Sequence, residues 1–171
     1  MFLFVLSKDN LYLSQLQQII ISTPDWFLDK RMGNCTLLNI IHVSCTYLLV
    51  FNATGLKDTY IQSTCLTILY HLTTSMKQIH PYVAQKFIAM MESFYKKFLK
   101  EHDEILLKVV VGCIEILNAC IATTIKQNTN LVYCIIYKQN LFESISQHES
   151  FTEYCHNLKT VFFYLFSYLT L

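Results

Sequence analysis

The stretch "PYVAQKFIAMMESFYKKFLK", residues 81–100, decides the fold class. Ala84, Phe87, Met91, Phe94 and Phe98 recur at alternating three- and four-residue steps. Gln85, Lys86, Lys96, Lys97 and Lys100 fall on the other side. This is the pattern of an amphipathic α-helix with one face committed to a core. Pro81 stands at its first position, where the missing amide costs nothing.

The same period continues in both directions. Upstream, Asp58 to about Gln78 places Ile61, Cys65, Ile68, Leu72 and Met76 on one face. Downstream, Asp103 to Lys126 carries Leu106, Val109, Cys113, Ile116, Cys120 and Thr124, with further apolar residues on its other faces, so this helix is expected to be buried on more than one side. Asn128-Thr129-Asn130 then reads as a helix stop and a new N-cap, because asparagine tolerates left-handed backbone and its side chain bonds free amides. Leu131, Ile135 and Phe142 resume helical spacing, which makes 126–143, "KQNTNLVYCIIYKQNLFE", the corner of a helical hairpin.

Towards the N-terminus, "NATGLKD" (52–58) is a turn, and Cys35 to Phe51 is a long apolar helix broken from its predecessor at Gly33-Asn34. Thr23 caps that predecessor with Pro24 at its first position, and an earlier helix runs from about Leu11 to Ile21. Ser150 is expected to cap a last helix carrying Phe151, Tyr154, Phe162, Phe163, Phe166 and Tyr168. Only three glycines and two prolines interrupt the chain, which favours long helices. The expectation is an all-α fold without a sheet, with seven or eight helices in one segment, 1–171. They pair as 11–53, 58–100 and 103–147 and stack as a short armadillo- or HEAT-like α-solenoid. "MFLFVLSKDN" at the start reads as the end of a helix, and the tail ends on aromatics. Both suggest a segment of a longer array.

Composition narrows the function. The chain has 171 residues, 53% hydrophobic and 15% charged, with mean hydropathy +0.35. A membrane-embedded chain and a piece with covered interfaces would both look like this. Cys35–Phe51 is near the minimum spanning length and carries Asn39 and His42 near its middle. It is expected to pack against protein, with a polytopic membrane fragment as the alternative. A net charge of +1 leaves no footprint for nucleic acid. Arg31 is the sole arginine, against phosphate recognition by guanidinium forks. Seven widely spaced cysteines, mostly in apolar runs, read as reduced core thiols. The sequons at Asn34 and Asn52 would matter only in a secreted protein.

No catalytic constellation emerges. His42 and Cys45 share a helix face but lack two further metal ligands, and Cys113 and Cys120 lie two turns apart on one face; core packing is preferred for both. His102, Asp103 and Glu104 form a helix-start cluster. Lys86, Lys96, Lys97 and Lys100 are a solvated face that could meet an acidic partner or a membrane surface. For Tyr133, Tyr137 and Lys138, packing is preferred over partner contact. No cofactor is called for.

Several ordered blocks resemble the dymeclin family. Asn130-Leu131-Val132-Tyr133, Tyr137-Lys138 and Leu141-Phe142-Glu143 are similar to its signature region. "KDTYIQSTCLTILYHL" (57–72), "HPYVAQKFIAMMESFYKK" (80–97) and "IEILNACIATTIKQNTNLVY" (114–133) resemble family blocks in the same order. Weaker similarity reaches "FLFVLSKDN" and "VFFYLFSYL". Family members are several-fold longer. Their Met-Gly acylation start and C-terminal segment have no counterpart here, and a polar insertion near Lys100–Asp103 is missing, so the two helices there should be joined tightly. The chain is therefore expected to be a fragment or short form. The resemblance implies a cytosolic, peripheral Golgi protein that supports Golgi organisation and vesicle traffic, touches membrane only indirectly, and has a golgin-type coiled coil as partner. It implies no catalytic residues. The alternatives are a generic helical-repeat adaptor and an enzyme whose residues escape this reading.

Overall fold

A computed structural model describes residues 2–22, 30–155 and 158–159. The chain is mostly helical: α1 (Phe2–Leu6), α2 (Asn10–Gln18), β1 (Ile20–Ser22), β2 (Asn34–Thr36), α3 (Leu37–Phe51), α4 (Thr59–Ser75), α5 (Pro81–Glu101), α6 (Glu104–Thr124), α7 (Thr129–Tyr137) and α8 (Gln139–Gln147). The expected cap at Thr23, and Phe162 to Tyr168 of the expected last helix, lie outside the described residues.

Two expectations about single elements need correction. A small sheet exists: β1 and β2 pair antiparallel, with Ile20 opposite Thr36 and Ser22 opposite Asn34. The β-branched run Ile19–Ile21 fits a pleated edge better than a helix, so α2 ends at Gln18. Gly33 takes φ +54° and turns the chain into β2. Second, among the described residues no helix begins at Ser150. Residues 151–155 form successive turns, Phe151 and Thr152 both donating to the His148 carbonyl.

The long helices have the ends their sequences call for. Thr36 Oγ1 accepts from the Asn39 amide at the start of α3. Asp58 Oδ1 accepts from the Tyr60 and Ile61 amides at the start of α4. His80 Nδ1 accepts from Tyr82 N–H beside Pro81. Asp103 Oδ1 accepts from Ile105 N–H. The turns into α4 and α6 repeat one design, a left-handed residue (Lys57, φ 53°; His102, φ 51°) followed by a capping aspartate. The two turns touch, with Lys57 Nζ 3.5 Å from Asp103 Oδ2 although 46 residues separate them in sequence. The join at His102-Asp103 is as tight as expected.

These tight turns determine which helices lie side by side. α3 packs on α4 and α5 on α6, whereas α4 and α5 scarcely touch, so the expected 58–100 pairing is replaced by hairpins α3–α4 and α5–α6. From α2 to α7 every second helix also meets: α2 with α4, α4 with α6, α3 with α5, α5 with α7. One continuous core results. It takes Leu38 and Leu49 from α3, Leu69 and Leu72 from α4, Phe87 and Met91 from α5, and Val109, Cys113 and Leu117 from α6. The predicted faces of α4, α5 and α6 are the buried ones, and α6 is buried against both α4 and α5. Gly112 lets α6 close on α4, since a Cβ there would stand 2.9 Å from Leu66 Cδ1. All seven cysteines are free and buried, and burial pushes the Cys45 and Cys113 thiols up to about 12.

The crossing from α4 to α5, residues 76–80, has no regular partner, and amide side chains supply one. Asn128 Nδ2 donates to Met76 O and Asn128 Oδ1 accepts from Ile79 N–H, each at 2.9 Å. Asn130 Nδ2 donates to Ile79 O, Asn39 Oδ1 accepts from His80 N–H, and Gln17 Nε2 donates to Lys77 O. Gln78, left-handed at φ 60°, donates its amide to Gln127 O. Asn128, read from sequence as a capping residue, thus spends its side chain on this crossing and makes no side-chain cap. Asn52 works in the same way, pairing both sides of Asp58, and it is fully buried, so its sequon offers no free side chain.

His42 is buried in α3. Its Nε2 lies 2.9 Å from Thr73 Oγ1, which itself donates to Leu69 O, so the imidazole is the donor and Nδ1 is left without a partner. Burial lowers its pKa to about 4.

Two predictions follow from these buried polar groups. Asn128→Ala leaves the Met76 carbonyl and the Ile79 amide unpaired in the interior and should cost about 3 kcal/mol. Asn130→Ala, at a half-buried site, should cost clearly less. Urea unfolding of both variants measures this, and an Asn128→Ala midpoint equal to wild type would refute the role given to this residue. His42 binds a proton more readily unfolded than folded, so its contribution is intact above pH 6.5 and is lost as pH falls towards 4, by about 3 kcal/mol in total at about 1.4 kcal/mol per unit. His42→Leu should flatten stability between those pH values. An unchanged pH slope would show that His42 is not the group responsible.

Candidate interaction surface

α7 buries Leu131, Cys134 and Ile135 against the rest of the fold. Its opposite side carries Tyr133 and Tyr137, one turn apart, 68% and 75% exposed. Their rings stack with centroids 6.4 Å apart and planes 14° apart. The expected packing of these tyrosines is therefore corrected: in a nine-residue helix only one stripe can face the core, and Leu131, Cys134 and Ile135 take it.

Lys138 follows Tyr137 at the junction with α8. Its amide donates to the Cys134 and Ile135 carbonyls. Its Nζ reaches Glu92 Oε2 on α5 at 2.7 Å, and Lys96 Nζ lies 2.6 Å from Glu92 Oε1. The bonds from Lys138 and then Lys96 hold the Glu92 carboxyl below its ordinary range, and the Lys138 ammonium is correspondingly raised by Glu92. Lys138 thus ties the α7–α8 junction to α5.

Between the tyrosines and α5 lies a groove of about 440 Å³, lined by Gln85, Ile88, Ala89, Tyr133, Cys134, Tyr137 and Lys138. Sequence reasoning singled out Tyr133, Tyr137 and Lys138, and the structure places all three on this one groove. The α5 residues across from them were missed, because nothing local in 81–100 says which helix will stand opposite. Cys134 is a poor nucleophile, since burial raises its thiol.

A second groove, about 270 Å³, runs along the other flank of α5 against α3. Tyr47, Lys86 and Lys97 stand on it, and Ala89 lines both grooves. Lys86 Nζ lies over the Tyr82 and Tyr47 rings, 5.3 and 5.7 Å from their centroids, and the two phenol oxygens meet at 2.8 Å.

The other sequence candidates fall elsewhere. His42, Cys45, Cys113 and Cys120 stay in the core. Among the described residues no three His, Cys, Asp or Glu side chains are placed to hold a metal ion. Asp103 caps α6, and Glu104 pairs with Lys108 at 2.8 Å. Lys97 faces Glu101 at 3.9 Å, and Lys100 is exposed. Sequence reasoning missed the contact of Ser7 Oγ with His71 Nδ1 at 2.9 Å. Ser7 Oγ donates to the Phe4 carbonyl, so it accepts from His71 and is not poised as a nucleophile.

Comparison with known proteins supplies what this geometry leaves open. The family pattern described as "Dymeclin: Dyggve-Melchior-Clausen syndrome protein" matches residues 1–170. The chain is 22% identical over 183 residues to a dymeclin of Xenopus laevis, covering 93% of this chain and 27% of that protein. A dymeclin of Drosophila melanogaster is 24% identical over 184 residues, covering 93% of this chain and 26% of its own length. One from Dictyostelium discoideum is 26% identical over 98 residues. The chain thus spans about a quarter of the length of the first two. No solved structure matches it. With the family pattern running through all of the described helices, the chain belongs to the dymeclin family.

Proposed function

We propose that this chain is a non-enzymatic scaffold segment of Golgi organisation and vesicle traffic that acts through protein contacts, with a golgin-type coiled coil among its partners and only peripheral, indirect membrane association from the cytoplasm. Family membership supports the pathway. The observation that carries the scaffold reading is the repeated turn. Lys57-Asp58 and His102-Asp103 have one geometry, lie against each other, and recur at the length of a HEAT or armadillo unit, roughly 40–47 residues. Contacts between every second helix are what stacked helical hairpins produce. On this reading α3–α4 and α5–α6 are successive turns of an α-solenoid, a design that offers long lateral surfaces to other proteins.

A membrane-embedded reading has one observation in its favour. Leu37–Leu56 and Glu104–Thr124 are long and apolar enough to cross a bilayer, and about half of each is buried. The length and composition that let a helix span also suit one packed between neighbours. The scaffold reading expects carbonate to release the expressed chain from membranes; full resistance would establish the membrane reading instead. Proximity labelling of the chain beside a full-length relative tests the pathway. Shared Golgi and golgin neighbours are expected, and a neighbour set without trafficking proteins would remove the Golgi assignment.

A further inference from the structure

Among the described residues, both grooves flanking α5 are lined by lysine and by no carboxylate. Lys138 stands on the α5–α7 groove, and Lys86 and Lys97 on the α3–α5 groove. The nearby acids are already engaged, Glu92 by Lys96 and Lys138 and Glu101 by Lys97. Lys86 has aromatic rings beneath it and, among the described residues, no carboxylate within ion-pair distance. Another groove has the reverse balance. The groove between α4 and α6 carries Glu104 and Glu115 against Lys108 alone, and Lys108 is paired to Glu104. On balance the α5 side, with Lys86, Lys96, Lys97 and Lys138 against Glu92 and Glu101, is the more basic of the two, and Lys86 is its lysine without an acidic partner among the described residues.

Shape agrees with charge. The stacked pair Tyr133 and Tyr137 rises along one edge, and Tyr47 stands on the other flank. Gln85, Ala89 and Ser93 form the exposed ridge of α5 between them, and at Ala89 only a methyl separates the two grooves. Tyrosine beside a groove offers broad apolar contact with a polar tip at low entropic cost.

We propose that this side of the molecule, α5 with its two grooves, is the docking site for an acidic amphipathic helix of a protein partner. The helix lies along α5 over Ala89, sets apolar side chains into the two grooves against Tyr133, Tyr137 and Tyr47, and brings carboxylates to Lys86 and Lys97. Those two lysines stand about 16 Å apart along the helix axis at 1.5 Å per residue, so the partner helix needs at least three turns. A bilayer surface would meet the protruding tyrosines and leave the grooves unfilled, which favours a helix over lipid. The proposal rests on the scaffold reading and names the kind of partner and where it binds.

The test uses the full chain and fluorescent synthetic peptides. One is an amphipathic Leu/Ala helix bearing Glu at both ends, the second carries Gln in place of Glu, the third Lys. Anisotropy titrations should rank acidic above neutral above basic. Lys86→Glu/Lys97→Glu should weaken the acidic peptide about tenfold and bind the basic peptide in its place, a gain that a misfolded chain cannot show. Tyr133→Ala/Tyr137→Ala should weaken the acidic peptide about tenfold with an unchanged circular dichroism spectrum. Equal binding of the three peptides, or indifference to the charge reversal, overturns the proposal. So does lysine- and tyrosine-dependent binding to phosphatidylserine vesicles in the absence of peptide binding, which assigns the face to lipid. Golgi neighbours found alongside a failed peptide test would leave the scaffold reading standing and remove this face. Peptide binding without Golgi neighbours would do the reverse.

Discussion

The fold turns on a piece of backbone that is neither helix nor strand. Residues 76–80 carry the chain from the α3–α4 hairpin to the α5–α6 hairpin, and every carbonyl from Met76 to Ile79 except that of Gln78 has a named partner outside the segment or nearly so. Asn128 supplies both a donor and an acceptor, Asn39 an acceptor, Asn130 and Gln17 donors. A carboxamide is the side chain suited to this, because it presents the same donor and acceptor pair as a peptide group. A buried amide without partners would cost what its hydration is worth; with them satisfied it fixes the crossing against the elements that supply the side chains. The side chains come from α2, α3, α7 and the turn after α6, so the crossing is where distant parts of the chain must agree. Packing of α4 on α6 and of α3 on α5 sets the two hairpins against each other, and the hydrogen bonds of this crossing hold the connection in that arrangement.

Much of this was legible in the sequence, and the misses have physical causes. The faces of α4, α5 and α6 could be read because three- and four-residue spacing is a local property, and Asp58, Pro81 and Asp103 sit at the helix starts they mark. Asn128 read correctly as a stop, but its main role could not be read, since it reaches the 76–80 crossing through 49 to 52 residues of sequence. The side-by-side pairing was misjudged for a related reason. Short connections suggest neighbours, yet the connection at 76–80 crosses over whereas the turns at 57–58 and 102–103 fold back, and only the left-handed residue before a capping aspartate tells them apart. The strand Ile20–Ser22 had a local signal in three consecutive isoleucines, overruled by the helical period around it. At the candidate surface, the tyrosines were visible as residues of interest, while their exposure depended on which side of α7 the core would claim.

The polar groups of the two most apolar helices explain why a high mean hydropathy can coexist with a packed interior. In α3, Asn39 is bonded to His80 N–H and to Thr36, His42 to Thr73, and Thr46 to the His42 carbonyl, so its polar side chains face inward and are satisfied by protein. In α6 the charged residues Glu104, Lys108 and Glu115 lie along one exposed stripe, while Val109, Val110, Cys113 and Leu117 point to α4 and α5. A helix facing lipid wants the opposite arrangement, with apolar residues outward and charge hidden. α6 is apolar because it is wedged between two helices and needs a core face for each. Its one remaining stripe is charged. The excess of apolar residues is thus a consequence of packing each long helix against two or three neighbours, and the large apolar residues left outside, Tyr133 and Tyr137 together with Leu11, Ile20, Phe51 and Tyr60, are the ones whose exposure that packing does not explain.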